Sequence, residues 1–155
     1  KAGAKVVKAN SGASLIDIGD DVLALEFHTK GNAIDADITT MLLEGVSYAE
    51  EHARGLVIYN EAEHFSFGAN LMLIYMLAEQ KSWEQVEEAA ATLQRAMQRI
   101  RYAKVPVVAA PHGMALGGGC EICLAAGSGA GVRPYAELYI GLVEPGVGLL
   151  PGAAP

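Results

Sequence analysis

Two short apolar runs, "LVIYN" (residues 56–60) and "VPVVAAP" (residues 105–111), most constrain what this chain can become. Neither alternates between apolar and polar residues, so each reads as a strand covered on both faces. Helical patterns precede them. Residues 32–52 place Ile38, Met41, Leu42, Val46 and Ala49 on one face, and Val86, Ala89, Ala90, Leu93, Met97 and Ile100 recur at three- and four-residue spacing. Strands that alternate with helices specify an α/β architecture with at least part of its sheet parallel.

The remaining segments fit around that frame. "LIDIG" and "VLALEFH", separated by Gly19-Asp20-Asp21, read as a β-hairpin. Gly55 reads as the C-cap of the first long helix, and Ser82-Trp83-Glu84-Gln85 has the form of a capping box. Residues 61–70 read as a loop, 121–126 as a helix, and "SGAGVRP" after it as a flexible link. Residues 1–13 are small and polar and read as linker or tail, with one domain over 14–155.

Composition narrows the function classes. With 155 residues, 52% of them hydrophobic and 19% charged, the chain can bury roughly two-thirds of its unfolded surface. Its net charge of −7 disfavours nucleic acid as a partner, and the densest basic group is only "RIRYAK". No apolar run reaches the roughly 18 residues of a membrane span; "LMLIYML" is far shorter. Two cysteines cannot build a disulfide framework, which fits a reducing cytoplasm.

The candidate chemistry centres on "MALGGGCEIC" (residues 114–123). A strand, a glycine turn and a helix start together make a site for negative charge, because helix N-terminal amides lack partners. Both nucleotide signatures fail: no Gly-Lys-Ser/Thr ends the run, and Gly117-Gly118-Gly119-Cys120-Glu121-Ile122 lacks the last glycine of G-x-G-x-x-G. An amide that stabilises a carbonyl oxygen as it gains charge and simple close packing of helix on strand both stay open. Glu121 lies among Gly, Cys, Ile and Leu, and Glu144 is the only charge between Leu138 and Leu150. Two such carboxylates suit acid–base work on one water, although a helix-dipole role for Glu121 is equally open. Cys120 and Cys123 lack the further ligands zinc needs and read as core, so no metal site is expected. "HFSFGAN" can present an amide to a ligand or do no more than turn.

Taken together, these stretches resemble the crotonase (enoyl-CoA hydratase/isomerase) superfamily. "VPVVAAPHGMALGGGCEICLAA" is similar to its strand, glycine turn and helix, and "FSFGAN" to its A-G-A-D loop. "KGNAID" is similar to its N-A-L segment, and "YIGLVEPGVGLLPG" to its P-E-x-x-x-G-x-x-P-G stretch. Asn70 stands where the family usually has Asp, and Gly127 where Asp often follows the helix. The resemblance implies an α/β, crotonase-like ββα spiral that binds acyl-CoA thioesters, with the family's C-terminal helical part missing. It places the thioester oxygen between the amides of Ala69 and Gly118, and makes Glu121 and Glu144 the catalytic pair. Glu121 would activate the water that attacks Cβ, and Glu144 would protonate Cα. Ala33, Ile34, Phe67, Gly68, Asn70, Leu71 and Gly117 would line the substrate path.

The opening residues resemble the junction in bacterial fusions of 3-hydroxyacyl-CoA dehydrogenase with a C-terminal hydratase-like domain. The implied reaction is hydration of 2-enoyl-CoA in fatty-acid β-oxidation, with Δ3–Δ2 isomerisation or non-catalytic acyl-CoA binding as alternatives. No cofactor is implied in this chain; NAD would belong to an upstream dehydrogenase domain. The resemblance further implies a homo-oligomer in the intact protein, and a piece that need not be active alone.

Overall fold

The computed structural model describes residues 4–126 and 137–152. Its main sheet has five strands in the order β1 (Lys5–Ala9), β2 (Ala13–Gly19), β3 (Val22–Phe27), β4 (Gly55–Tyr59) and β5 (Val107–Ala109). β1, β2 and β3 pair antiparallel, whereas β3–β4 and β4–β5 pair parallel. The expected hairpin is β2–β3. Asp20 and Asp21 turn it at φ 53° and 57°, the left-handed pair that a two-residue turn needs to match strand twist.

The parallel pairs require crossovers. α1 (Ala36–His52) joins β3 to β4, and α2 (Leu71–Glu79) with α3 (Trp83–Arg101) joins β4 to β5. α1 buries Ile38, Met41, Leu42, Val46 and Ala49, the face its spacing predicts, against Leu15, Leu25, Leu56 and Ile58 of the core. Gly45 lets this helix approach the sheet: a Cβ there would stand 3.0 Å from Leu25 Cδ1. α3 buries Ala96, Met97 and Ile100. A second, parallel two-stranded sheet pairs β6 (Gly113–Leu116) with β7 (Leu138–Gly141). α4 (Gly118–Ala125) follows β6 directly. Among the described residues, no helix is long and apolar enough to cross a membrane.

Several local expectations need correction. Residues 5–9, read as linker or tail, form the edge strand β1, because the hairpin leaves a strand edge with which Val6 and its neighbours pair. The first helix starts at Ala36 instead of residue 32, since Asp35 Oδ1 caps it by accepting from Ile38 N at 2.9 Å. Gly55 opens β4 and is not a C-cap; Ala53, in extended conformation, ends the helix. Ser82 does precede α3, but its side chain makes no capping hydrogen bond. Ala89 and Ala90 are exposed although they share the apolar spacing. The last helix begins at Gly118, so two glycines belong to its first turn. "SGAGVRP" and Gly127 lie outside the described residues.

Candidate active site

The carboxyl ends of β3, β4 and β5 release three loops to one side, the place where open parallel sheets gather their chemistry. Isolated parallel bridges join these loops: Ile34 to Ala69, and Ser66 to Ala115. Sequence reading missed the residues that knit them. Asn32, buried and in the left-handed region at φ 48°, donates from Nδ2 to His64 O at 2.9 Å. Buried Asn60 donates to Phe65 O at 2.7 Å and accepts from Ala62 N. Ser66 Oγ donates to Asn32 O and accepts from Gly68 N. A single Asn or Ser at a strand end or in a loop carries no spacing signal that would have revealed them.

Two amides are aimed by their own peptide planes. Gly68 O accepts from Ile34 N at 2.7 Å, so the Ala69 N–H, on the opposite edge of that trans peptide, points the other way. Gly117 O accepts from Glu121 N at 3.0 Å, which turns the Gly118 N–H out of the start of α4 in the same manner. Neither amide donates to a backbone carbonyl among the described residues. They are neighbours: a Cβ on Gly118 would stand 3.7 Å from Ala69 N, and one on Gly68 would stand 3.0 Å from Gly118 N.

Both carboxylates reach this turn. Glu121, fourth in α4 and only 2% exposed, has Oε2 3.8 Å from the Cβ position of Gly118. Glu144 returns through β7: Leu116 pairs with Gly141, and Gly117 N donates to Gly141 O at 2.9 Å. Three residues later Glu144 Oε1 lies 3.0 Å from the Cβ position of Gly117. Its Oε2 is buried with no hydrogen-bond partner among the described residues. Gly117 thus stands at φ 51° with the Glu144 carboxylate against its bare face. Burial pushes the Cys120 thiol up, and the charges of Glu121 and then Glu144 add to that rise. One thiol senses both acids.

Along 18–154 the chain matches the family model for enoyl-CoA hydratase/isomerase. It belongs to the enoyl-CoA hydratase/isomerase family. Within that family it is 49% identical over 147 residues to a Bacillus subtilis (strain 168) protein named "Probable 3-hydroxyacyl-CoA dehydrogenase", covering 95% of this chain and 18% of the relative. It is 34% identical over 137 residues to a second protein of that strain, named "Probable enoyl-CoA hydratase", covering 86% of this chain and 50% of the relative. The crystal structure of an enoyl-CoA hydratase from Bacillus anthracis superposes with a TM-score of 0.79 at 26% identity, over 92% of this chain and 54% of the other. That of an enoyl-CoA hydratase from Polaromonas sp. JS666 gives 0.81 at 25% identity, over 91% and 55%. The fold is the crotonase fold. The chain spans about half the length of the hydratases and under a fifth of the dehydrogenase-named relative.

The other expected site residues of this enoyl-CoA hydratase/isomerase domain fall around the amide pair. Ile34 and Gly68 are buried, while Ala33, Ala69 and Asn70 are half-buried. Phe67 is exposed; its ring covers Gly31, where a Cβ would meet Phe67 Cδ2 at 2.7 Å, and stands edge-on to His64. Asn70 Oδ1 caps α2 by accepting from Leu73 N at 3.2 Å, and Leu71 is exposed at the start of that helix. Cys120 and Cys123 are free and buried, and burial pushes Cys123 up to about 12, so neither is poised as a thiolate. Surface depressions on α1 around Tyr48 and at the β3–β5 end around Arg54 contain none of these residues.

Proposed function

We propose that this domain adds water to 2-enoyl-CoA thioesters. The observation that carries the reading is the convergence of two carboxylates on a glycine turn whose neighbouring amides both point outward. The family match supports the substrate class, and the names of its relatives support the reaction.

In this reading the thioester oxygen accepts from Ala69 N–H and Gly118 N–H. The amides polarise the carbonyl and stabilise the enolate that forms as the nucleophile adds to Cβ. Glu121 and Glu144 hold one water between them. The water oxygen bonds to Cβ while its proton passes to Glu121, and protonated Glu144 gives its proton to Cα. One water is consumed, and a proton returns from Glu121 to Glu144 before the next turnover. The Gly68-Ala69 and Gly117-Gly118 turns supply this without reorganisation, because each donor is held by a hydrogen bond on the far side of its peptide. Ala33, Ile34, Phe67, Gly68, Asn70, Leu71 and Gly117 line the thioester's path, largely through backbone atoms.

The protein to which the domain belongs is proposed to be a larger assembly, homo-oligomeric and including a dehydrogenase part. The 3-hydroxyacyl thioester that hydration yields is the substrate class such a part would oxidise. The deciding experiment is hydration of crotonyl-CoA by the whole natural protein. Glu121→Gln and Glu144→Gln should each lower kcat by about 10²-fold or more. Retention of hydration by both variants would rule the reading out, and survival of Δ3–Δ2 isomerisation in one of them would favour an isomerase.

A further inference from the structure

We infer that Ser66 is a positioning residue for the amide pair: its hydroxyl ties the loop after β3 to the loop after β4 and thereby holds the Ala69 N–H beside the Gly118 N–H. The inference rests on the hydratase reading above.

Ser66 is fully buried. Its Oγ donates to Asn32 O at 2.7 Å and accepts from Gly68 N at 3.0 Å. Its backbone is locked on the other side, where its N–H donates to Met114 O at 3.0 Å and its carbonyl accepts from Leu116 N at 2.9 Å. It also abuts the start of α4: a Cβ on Gly119 would meet Ser66 Cβ at 2.8 Å and Ser66 O at 3.0 Å. One small residue, through its side chain and its backbone, therefore joins all three segments that build the site.

The consequence for the amide follows from Gly68. This residue sits at φ 88°, and its N–H is closed onto Ser66 Oγ in a tight hydroxyl-capped turn. Its carbonyl is closed onto Ile34 N. With both edges of Gly68 pinned, the next N–H, that of Ala69, has one direction. Without the Ser66 hydroxyl, a buried N–H and a buried C=O lose their partner, and the loop relaxes to satisfy them. A donor displaced from a developing oxyanion by on the order of 1 Å loses much of its effect on rate.

Ser66→Ala and Ser66→Cys, made in the whole natural protein, test this against crotonyl-CoA turnover and a bound conjugated dienoyl-CoA. The dienoyl absorption band shifts to the red when its thioester carbonyl is polarised. Ser66→Ala should lower kcat roughly 10- to 100-fold with little change in KM, and should shrink the red shift. Ser66→Cys, which keeps the shape with a weaker donor and acceptor, should fall between. Wild-type kcat and red shift per folded molecule in Ser66→Ala would overturn the inference. If that variant does not fold, the same unchanged pair of values in Ser66→Cys overturns it. The red shift requires binding but not turnover, so it judges Ser66 even where the Glu121→Gln and Glu144→Gln controls sink the hydratase reading.

Discussion

Gly117 lies at φ 51° and ψ −122°, a conformation foreign to residues with a Cβ, and the Glu144 carboxylate occupies the side where that Cβ would stand. Gly117→Ala therefore meets backbone strain of about 1–3 kcal/mol together with a displaced acid. Thermal unfolding should show the first, and loss of the proposed hydration in the residual folded fraction the second. Because Glu121 and Glu144 are proposed to handle one water, their losses should not add. Glu121→Gln/Glu144→Gln should be hardly slower than the worse single variant, whereas multiplied losses would show that the two act independently. The cysteines obey a different rule. Cys123, held up to about 12 by burial, stays protonated in the folded chain. An aromatic disulfide reagent at pH 8 should label it only on unfolding. Its folded value lies above the unfolded one near 9, so the native state retains this proton longer, and stability should decline as pH rises from about 9 towards 12.

Elements differ in how much of them was readable. α1 announced itself because one face is apolar throughout and its partner is the buried sheet. Its start was misplaced by a 3-10 turn (Lys30–Asn32) and an Asp35 cap, and its C-cap is Ala53 instead of Gly55. Asp35→Ala should cost about 1 kcal/mol in a denaturation curve. β1 was illegible since its residues carry no alternation; it is a strand because β2 offers an edge. The capping-box pattern at Ser82 failed for the converse reason: a local motif promises a hydrogen bond that the loop's path, with Ser82 at ψ 58°, does not make. α2 is the outlier. It has no buried residue, and Leu71, Met72, Leu73, Tyr75 and Met76 are exposed. With so little tertiary support, its amides should exchange with solvent well before those of α1, which buries seven residues. Equal protection of the two helices in hydrogen-exchange mass spectrometry would contradict this.

At the scale of the molecule, α1 and α3 are clasped by Arg99. Its guanidinium donates to Glu50 at 2.9 and 2.8 Å, and Lys104 N donates to the same carboxylate. These hydrogen bonds, that of Arg99 first, lower Glu50 from 4.5 to about 2. A depressed carboxylate stabilises the fold fully above its unfolded value and loses that contribution as pH falls through the folded one. The Tm gap between wild type and Arg99→Gln should thus be widest above pH 4.5 and narrow steadily below it. A gap independent of pH would mean that Arg99 acts through its packing alone.

Chemistry-bearing residue types and their local settings were fully present in the sequence: a glycine run before an acid, a second isolated acid, strands between helices. Those depend on composition and spacing over a few residues, which the chain states directly. Convergence was not. Glu144 reaches the glycine turn only because β7 pairs in parallel register with β6, and Ala69 faces Gly118 only because Ile34 and Glu121 amides hold the opposite edges of two peptides. Hydrogen bonds between segments distant in the chain leave no periodic trace, so the direction of an amide and the meeting of two carboxylates were decided by tertiary structure alone.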